Sequence, residues 1–286
     1  MNTLHIPLSA KGAYLVSKYK IGVTEAGDAG LDLSWEERLN EVDGAILISK
    51  SINPVSRDAV LRHKDKLIVH ATITGYGCTE LEPNVVPFRD AFAQVTRLLE
   101  AGFPRERVVI RVDPIIPTEK GIETAKEVIS WGGALGFYRY RVSLIDMYPH
   151  VRSRFKAHGL PLPYGEGFSP SKEQREAVDE MLNECLGLWE GGPEKLFWPT
   201  APEFPRGHEM RIESCAEPGL SATIQTGCVS AYDLALLGLD TTDADSAGRQ
   251  RRNCLCYSGK VELLRHRHPC QHNCLYCYWK MVGEGK

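Results

Sequence analysis

From residue 43 onward the chain repeats one pattern. A short apolar run is followed by a polar or glycine-containing break, and then by apolar residues at helical spacing. Two parallel strands need a long crossover between them, so this alternation points to parallel strands joined by helices. Residues 43–50 (DGAILISK) have the character of a buried strand. Asn53-Pro54 breaks it and a helix is expected over 55–63. Residues 66–74 form the next strand, ended by Gly75-Tyr76-Gly77. In 87–101, Phe88, Ala91, Phe92, Val95, Leu98 and Leu99 recur at helical spacing, with Gly102 as the stop. Strand 107–114, helix 123–135, strand 139–147 and helix 169–189 continue the series. Residues 196–199 and 210–215 are candidate fifth and sixth strands. The polar segment 240–252 suits a surface loop, and 260–266 suits a last strand. The expected class is α/β, a (β/α) barrel or a doubly wound sheet. In both, the carboxyl ends of the strands carry the site. Lys50, Thr74, Asp113, Asp146 and Glu213 stand at such ends.

Composition narrows the class without naming a function. Of 286 residues, 43% are apolar and 25% charged, as in an ordinary globular chain. The net charge of −3 predicts no global attraction to nucleic acid or membrane. No apolar run is long enough to span a bilayer, and the first residues lack a secretory pattern. A cytoplasmic, membrane-free protein is the expectation.

The cysteines are the most uneven feature. Of nine, Cys78 and Cys185 stand alone, while Cys215, Cys228, Cys254, Cys256, Cys270, Cys274 and Cys277 fall at the C-terminal end. A reducing compartment argues against disulfides, and the odd number would leave one thiol over. Metal ligation is the better account. The last three have the spacing C-x3-C-x2-C with Tyr276 before the third. Three thiolates on one loop can hold three irons of a 4Fe–4S cluster and leave the fourth iron open. A closed zinc site needs four ligands, and His268 or His272 could supply the fourth. Zinc is therefore the competing expectation.

At Cys270, Cys274, Tyr276 and Cys277 the chain resembles the radical SAM superfamily, whose motif is C-x3-C-x-aromatic-C. The resemblance implies that the open iron binds S-adenosylmethionine. An electron from the cluster then cleaves it to methionine and a 5′-deoxyadenosyl radical, which takes hydrogen from a substrate. It also implies a (β/α) barrel and a reducing partner such as flavodoxin or ferredoxin. Tyr276 would pack against adenine. The motif departs from the superfamily in position, since it usually follows the first strand. A partial, circularly permuted barrel with its cluster loop at the C-terminus would reconcile the two, the last strand in sequence taking the place of the first. The wider chain resembles the family labelled domain of unknown function 1848. The similar stretches are Thr74-Gly75-Tyr76-Gly77, Glu82-Pro83-Asn84, Arg111-Val112-Asp113-Pro114, 143–148, Glu213-Ser214-Cys215-Ala216-Glu217 and 250–278, while the first forty residues match poorly.

That second resemblance includes Cys215, Cys228, Cys254 and Cys256. It suggests an auxiliary 4Fe–4S cluster, with a four-cysteine zinc site and unligated buried thiols as alternatives. The organisation expected is a barrel body over 1–214 and a cysteine-rich region over 215–286 that completes it. Lys50, Thr74, Arg111, Asp113 and Ser143 are candidates to hold the cofactor. Arg111 could take a carboxylate and Asp113 a ribose, or the two could simply pair. Cys78, near a strand end, could donate hydrogen to a substrate radical; a buried apolar role is the alternative, and Cys185 is expected in the core. Arg249, Arg251, Arg252, Lys260, Arg265, Arg267 and Lys280 form a basic stretch. It could balance an anionic cluster or recognise a phosphate-bearing substrate, even nucleic acid. No standard phosphate loop is present. The leading expectation is a radical SAM enzyme. The alternatives are a zinc-stabilised non-catalytic binding protein and an iron–sulfur electron carrier.

Overall fold

In the computed structural model, which describes residues 18–190, 209–215, 217, 219–241, 255–265 and 270–279, the apolar runs become eight strands of one parallel sheet. They are β1 (Ile21–Val23), β2 (Gly44–Ser49), β3 (Leu67–Thr72), β4 (Val108–Ile115), β5 (Arg139–Leu144), β6 (Arg211–Ser214), β7 (Ile224–Gln225) and β8 (Lys260–Glu262). Their spatial order is β7-β6-β5-β4-β3-β2-β1-β8. From β1 to β7 the sheet therefore grows in one direction in chain order. Right-handed crossovers advancing one way place their helices on one face. The helices are α1 (Pro54–Arg62), α2 (Phe88–Glu100), α3 (Glu119–Ala134), α4 (Pro149–Ala157), α5 (Lys172–Glu190) and α6 (Ala231–Leu236). Val60 of α1, Phe92 and Leu98 of α2, Val128 of α3 and Leu182 of α5 share one core with Leu47, Val69, Ile110, Val142 and Ile212 of the sheet.

The opposite face is divided by level. Near the amino ends of the strands, Ile21, Ile46, Ile68 and Val109 pack with Leu234 of α6, Val229 and Tyr257. Strand side chains alternate between faces, and the register continues this face upward through His70, Thr72, Arg111 and Arg141. The upper part of the helix-free face is thus polar. Four buried charged residues link it to α6. Arg139 lies 2.5 Å from Asp233 and 3.2 Å from Glu213, and Arg141 also contacts Glu213. Both carboxyls are held below their ordinary range. Burial opposes their ionisation, but the two guanidinium groups outweigh it.

Local chemistry explains where element ends differ from the periodicity. The helix expected from 123 begins at Glu119, because the Thr118 side chain accepts from Gly121 N–H at 3.2 Å. The helix expected from 169 begins at Lys172, where Ser171 and Gln174 exchange reciprocal cap bonds. The strand expected to run to 147 stops at Leu144, and the one expected to run to 266 stops at Glu262. Four elements were not anticipated: β1, β7, α4 and α6. The candidate strand over 196–199 and most of the loop over 240–252 lie outside the described residues.

The placement of β8 matters most. It pairs in parallel with β1, the first strand, through Ile21↔Lys260, Gly22↔Val261 and Val23↔Glu262. Gly22 lets the Leu263 side chain pack against β1, since a Cβ there would meet Leu263 Cδ1 at 2.4 Å. The Glu262 carboxylate accepts from the N–H groups of Glu25 and Ala26, each at 2.9 Å, and fixes β8 to the turn after β1. The sheet thus draws strands from both 1–214 and 215–286, and no ladder joins β7 to β8 among the described residues.

Candidate metal centre

Residues 270–277 lie against the loops that leave the carboxyl ends of the strands. Leu275 is buried with Tyr76 after β3, Ile116 after β4, Ile145 and Met147 after β5, and Val151 and Phe155 of α4. Its N–H donates to Leu81 O at 3.0 Å, and Asn84 Nδ2 donates to Gln271 O at 2.7 Å. Arg154 of α4 donates to Cys277 O, and His150 approaches Tyr278 O at 3.0 Å. Asn273 takes a left-handed φ of 55°, which bends the chain between the first two thiols.

His272 is spent on holding this loop. Its Nε2 lies 2.9 Å from Asp28 Oδ2 and its Nδ1 3.4 Å from Asn84 O. Asp28 also accepts from Lys50 N–H and Ser49 Oγ. Burial disfavours the Asp28 carboxylate, but His272 and these donors pull its pKa below the usual value. Both ring nitrogens of His272 thus face oxygen acceptors. His268, the other candidate, lies outside the described residues. The loop therefore presents three thiols, Cys270, Cys274 and Cys277, near enough that the outer two add to the rise in the Cys274 pKa. Burial is the main cause, lifting Cys274 to about 12 and Cys270 to about 11. Thiols so protonated ionise when a cation compensates them.

Beside Cys274, three side chains converge on Glu82. Lys50 Nζ lies 2.8 Å from Glu82 Oε1 and 2.9 Å from Tyr276 Oη, Thr74 Oγ1 donates to the same oxygen at 2.6 Å, and Tyr276 Oη also contacts it. Burial opposes the charge on Lys50, but Glu82 and Cys274 raise its pKa above the usual value. Tyr276 spends its hydroxyl on this cluster and leaves the residue half-buried. Arg111 pairs with Asp113, and Cys228, Tyr278 and Glu25 also act on it electrostatically. Ser143 turns toward Glu217 at 3.0 Å. His70 Nε2, Thr72 Oγ1 and Arg141 Nε are buried without a hydrogen-bond partner. Orphaned polar atoms on one face are what a polar ligand would satisfy.

Lys50, Thr74 and Tyr276 are thus brought together, as are Arg111 and Asp113. Cys78 is exposed in a left-handed turn (φ 60°), its thiol donating to Val85 O at 3.4 Å, so the buried alternative does not hold. Cys185 is buried in the core as expected. Two central residues were missed. Glu82 stood in a quoted family stretch without a role, and Asp28 lay in the poorly matching N-terminal segment.

A second cysteine group lies where β6 and β7 end and β8 approaches. Among the described residues, Cys215, Cys228 and Cys256 form the one group of three metal-ligand atoms within 4.8 Å of one another. The Cys215 and Cys256 sulfurs are 3.9 Å apart. Bonding to Cys215 and burial push the Cys228 thiol up to about 11. Cys254 lies outside the described residues. So do Arg249, Arg251, Arg252, Arg267 and Lys280; the other two basic residues of that stretch are paired, Lys260 with Glu25 and Arg265 with Glu37.

A family model described as Domain of unknown function (DUF1848) matches residues 33–279. The chain belongs to this family. The match begins earlier than the first stretch of resemblance seen in the sequence, at Leu33, and so takes in all of β2. No curated protein and no solved structure matches this DUF1848 chain. Among its described residues, no helix is long and apolar enough to cross a membrane.

Proposed function

We propose that this DUF1848 protein is a radical S-adenosylmethionine enzyme built on a circularly permuted (β/α) barrel. The observation that carries the proposal is the three-thiol loop seated over the carboxyl ends of the strands, with its nearby histidine already bound to Asp28. Three thiolates supplied by one loop suit a 4Fe–4S cluster with one open iron. When bound, that cluster supplies an electron that splits S-adenosylmethionine into methionine and a 5′-deoxyadenosyl radical. The position of β8 beside β1 supports permutation, because the strand preceding the loop then occupies the usual first place.

The chain's own residues have distinct tasks in this scheme. Cys270, Cys274 and Cys277 hold three irons. Lys50 balances thiolate charge beside Cys274, and Glu82 keeps Lys50 charged and placed. The half-buried Tyr276, which precedes Cys277, would be the residue to face adenine. Arg111 and Asp113, with the unsatisfied atoms of His70, Thr72 and Arg141, line the face on which the remaining polar groups of cofactor and substrate would bind. The apolar plug of Val229, Leu234 and Tyr257 closes the lower end and helps exclude water. A small reducing protein such as flavodoxin or ferredoxin would supply the electron.

Anaerobic reconstitution tests the assignment. The protein should take up iron and sulfide, acquire the broad visible absorption of an iron–sulfur cluster, and change its reduced electron paramagnetic resonance spectrum when S-adenosylmethionine is added. A Cys270→Ala, Cys274→Ala, Cys277→Ala variant should lose that signal. Protein that takes up no iron, or whose spectrum ignores S-adenosylmethionine, contradicts the proposal.

A further inference from the structure

We propose that Cys215, Cys228 and Cys256 bind a single zinc ion that clasps the open seam of the sheet. The two edges of the sheet are β7 and β8, and no ladder joins them among the described residues. Cys215 directly follows β6, Cys228 follows β7 by three residues, and Cys256 precedes β8 by four. The three thiols therefore come from both sides of the gap.

Their spacing selects the group. Around one tetrahedral zinc ion with Zn–S bonds of about 2.3 Å, thiolates stand about 3.8 Å apart. Cys215 and Cys256 stand at 3.9 Å, and all three sulfurs lie within 4.8 Å. In a cubane each thiolate binds its own iron on a separate corner, which spreads the sulfurs wider. The auxiliary 4Fe–4S cluster expected from the sequence would need this group to open. The surrounding backbone resists that. Cys228 N–H donates to Cys256 Sγ at 3.1 Å, Tyr257 N–H donates to Val229 O at 2.9 Å, and Arg141 donates to Cys228 O at 2.6 Å. At Gly227 a Cβ would stand 2.4 Å from Cys256 Cα, so the two segments touch backbone to backbone. An amide N–H directed at sulfur favours the thiolate that zinc needs. The three described thiolates leave one tetrahedral position for a further ligand.

This inference does not rest on the radical SAM proposal, and its test is arranged to keep them apart. The full chain carrying Cys270→Ala, Cys274→Ala and Cys277→Ala is purified without oxygen and assayed for zinc, iron and sulfide. It should retain about one zinc per chain and no sulfide. Adding Cys215→Ser or Cys228→Ser should lower bound zinc about fivefold or more. Because those variants can unfold, the full-length Cys270→Ala, Cys274→Ala, Cys277→Ala chain is also stripped and loaded with cobalt, which should give the intense visible bands of a tetrahedral cobalt thiolate. Iron with sulfide retained in the triple variant, no bound metal, or cobalt lacking thiolate bands overturns the proposal.

Discussion

At the scale of single residues, Glu82 has the largest predicted effect. Its carboxylate is 1% exposed and is shared by Lys50, Thr74 and Tyr276. Glu82→Gln removes the carboxylate that pairs directly with Lys50, and breaking a buried ion pair costs about 3 kcal/mol or more. Chemical denaturation of the metal-free protein should show that loss; a change under about 0.5 kcal/mol, the size of an ordinary surface substitution, would contradict the described burial. Leu275→Ala should cost about 2–4 kcal/mol by leaving a cavity among Tyr76, Met147 and Phe155. Its unfolding midpoint in denaturant reports that directly, and an unchanged midpoint would mean Leu275 is not packed there.

At the scale of elements, the cysteine loop is held by a histidine–carboxylate contact and an apolar anchor, besides its hydrogen bonds to Leu81, Asn84 and Arg154. Asp28→Asn weakens the first without touching the second. Hydrogen exchange should therefore quicken over 270–277 while amides of β3 and β4 keep their protection; equal protection in variant and parent would mean the contact is idle. The core strands and α2 were legible because long apolar runs and six regularly spaced residues leave few alternatives. The elements that position the site were not. β1 is three residues long and β7 two, below any useful period. The six-residue α6 is marked by its Ser230–Asp233 capping box rather than by periodicity. The three loop thiols were legible from spacing alone, whereas Asp28 and Glu82 reach the site only through tertiary folding, 244 and 194 residues from their partners.

At the scale of the whole molecule, buried carboxylates bind α6 and the cysteine loop to one sheet. Burial opposes ionisation of Asp28, Glu82, Glu213 and Asp233, yet His272, Lys50, Arg139 and Arg141 draw all four below their ordinary values of 3.8 for aspartate and 4.5 for glutamate. A depressed carboxyl pKa stabilises the fold fully above those ordinary values, and the stabilisation fades as pH falls through the lower folded values. Circular dichroism should record cooperative loss of structure beginning below about pH 4, and an intact fold well below about pH 3 would contradict the ion-pair account. The polar upper face and the apolar plug share the helix-free side of the sheet. Whether this protein performs radical chemistry is read most directly by incubating the anaerobically reconstituted, dithionite-reduced protein with S-adenosylmethionine and measuring 5′-deoxyadenosine. The account predicts its formation by the parent protein and its absence in the Cys270→Ala, Cys274→Ala, Cys277→Ala variant; iron-loaded protein that forms none, or a variant that forms as much, would contradict it.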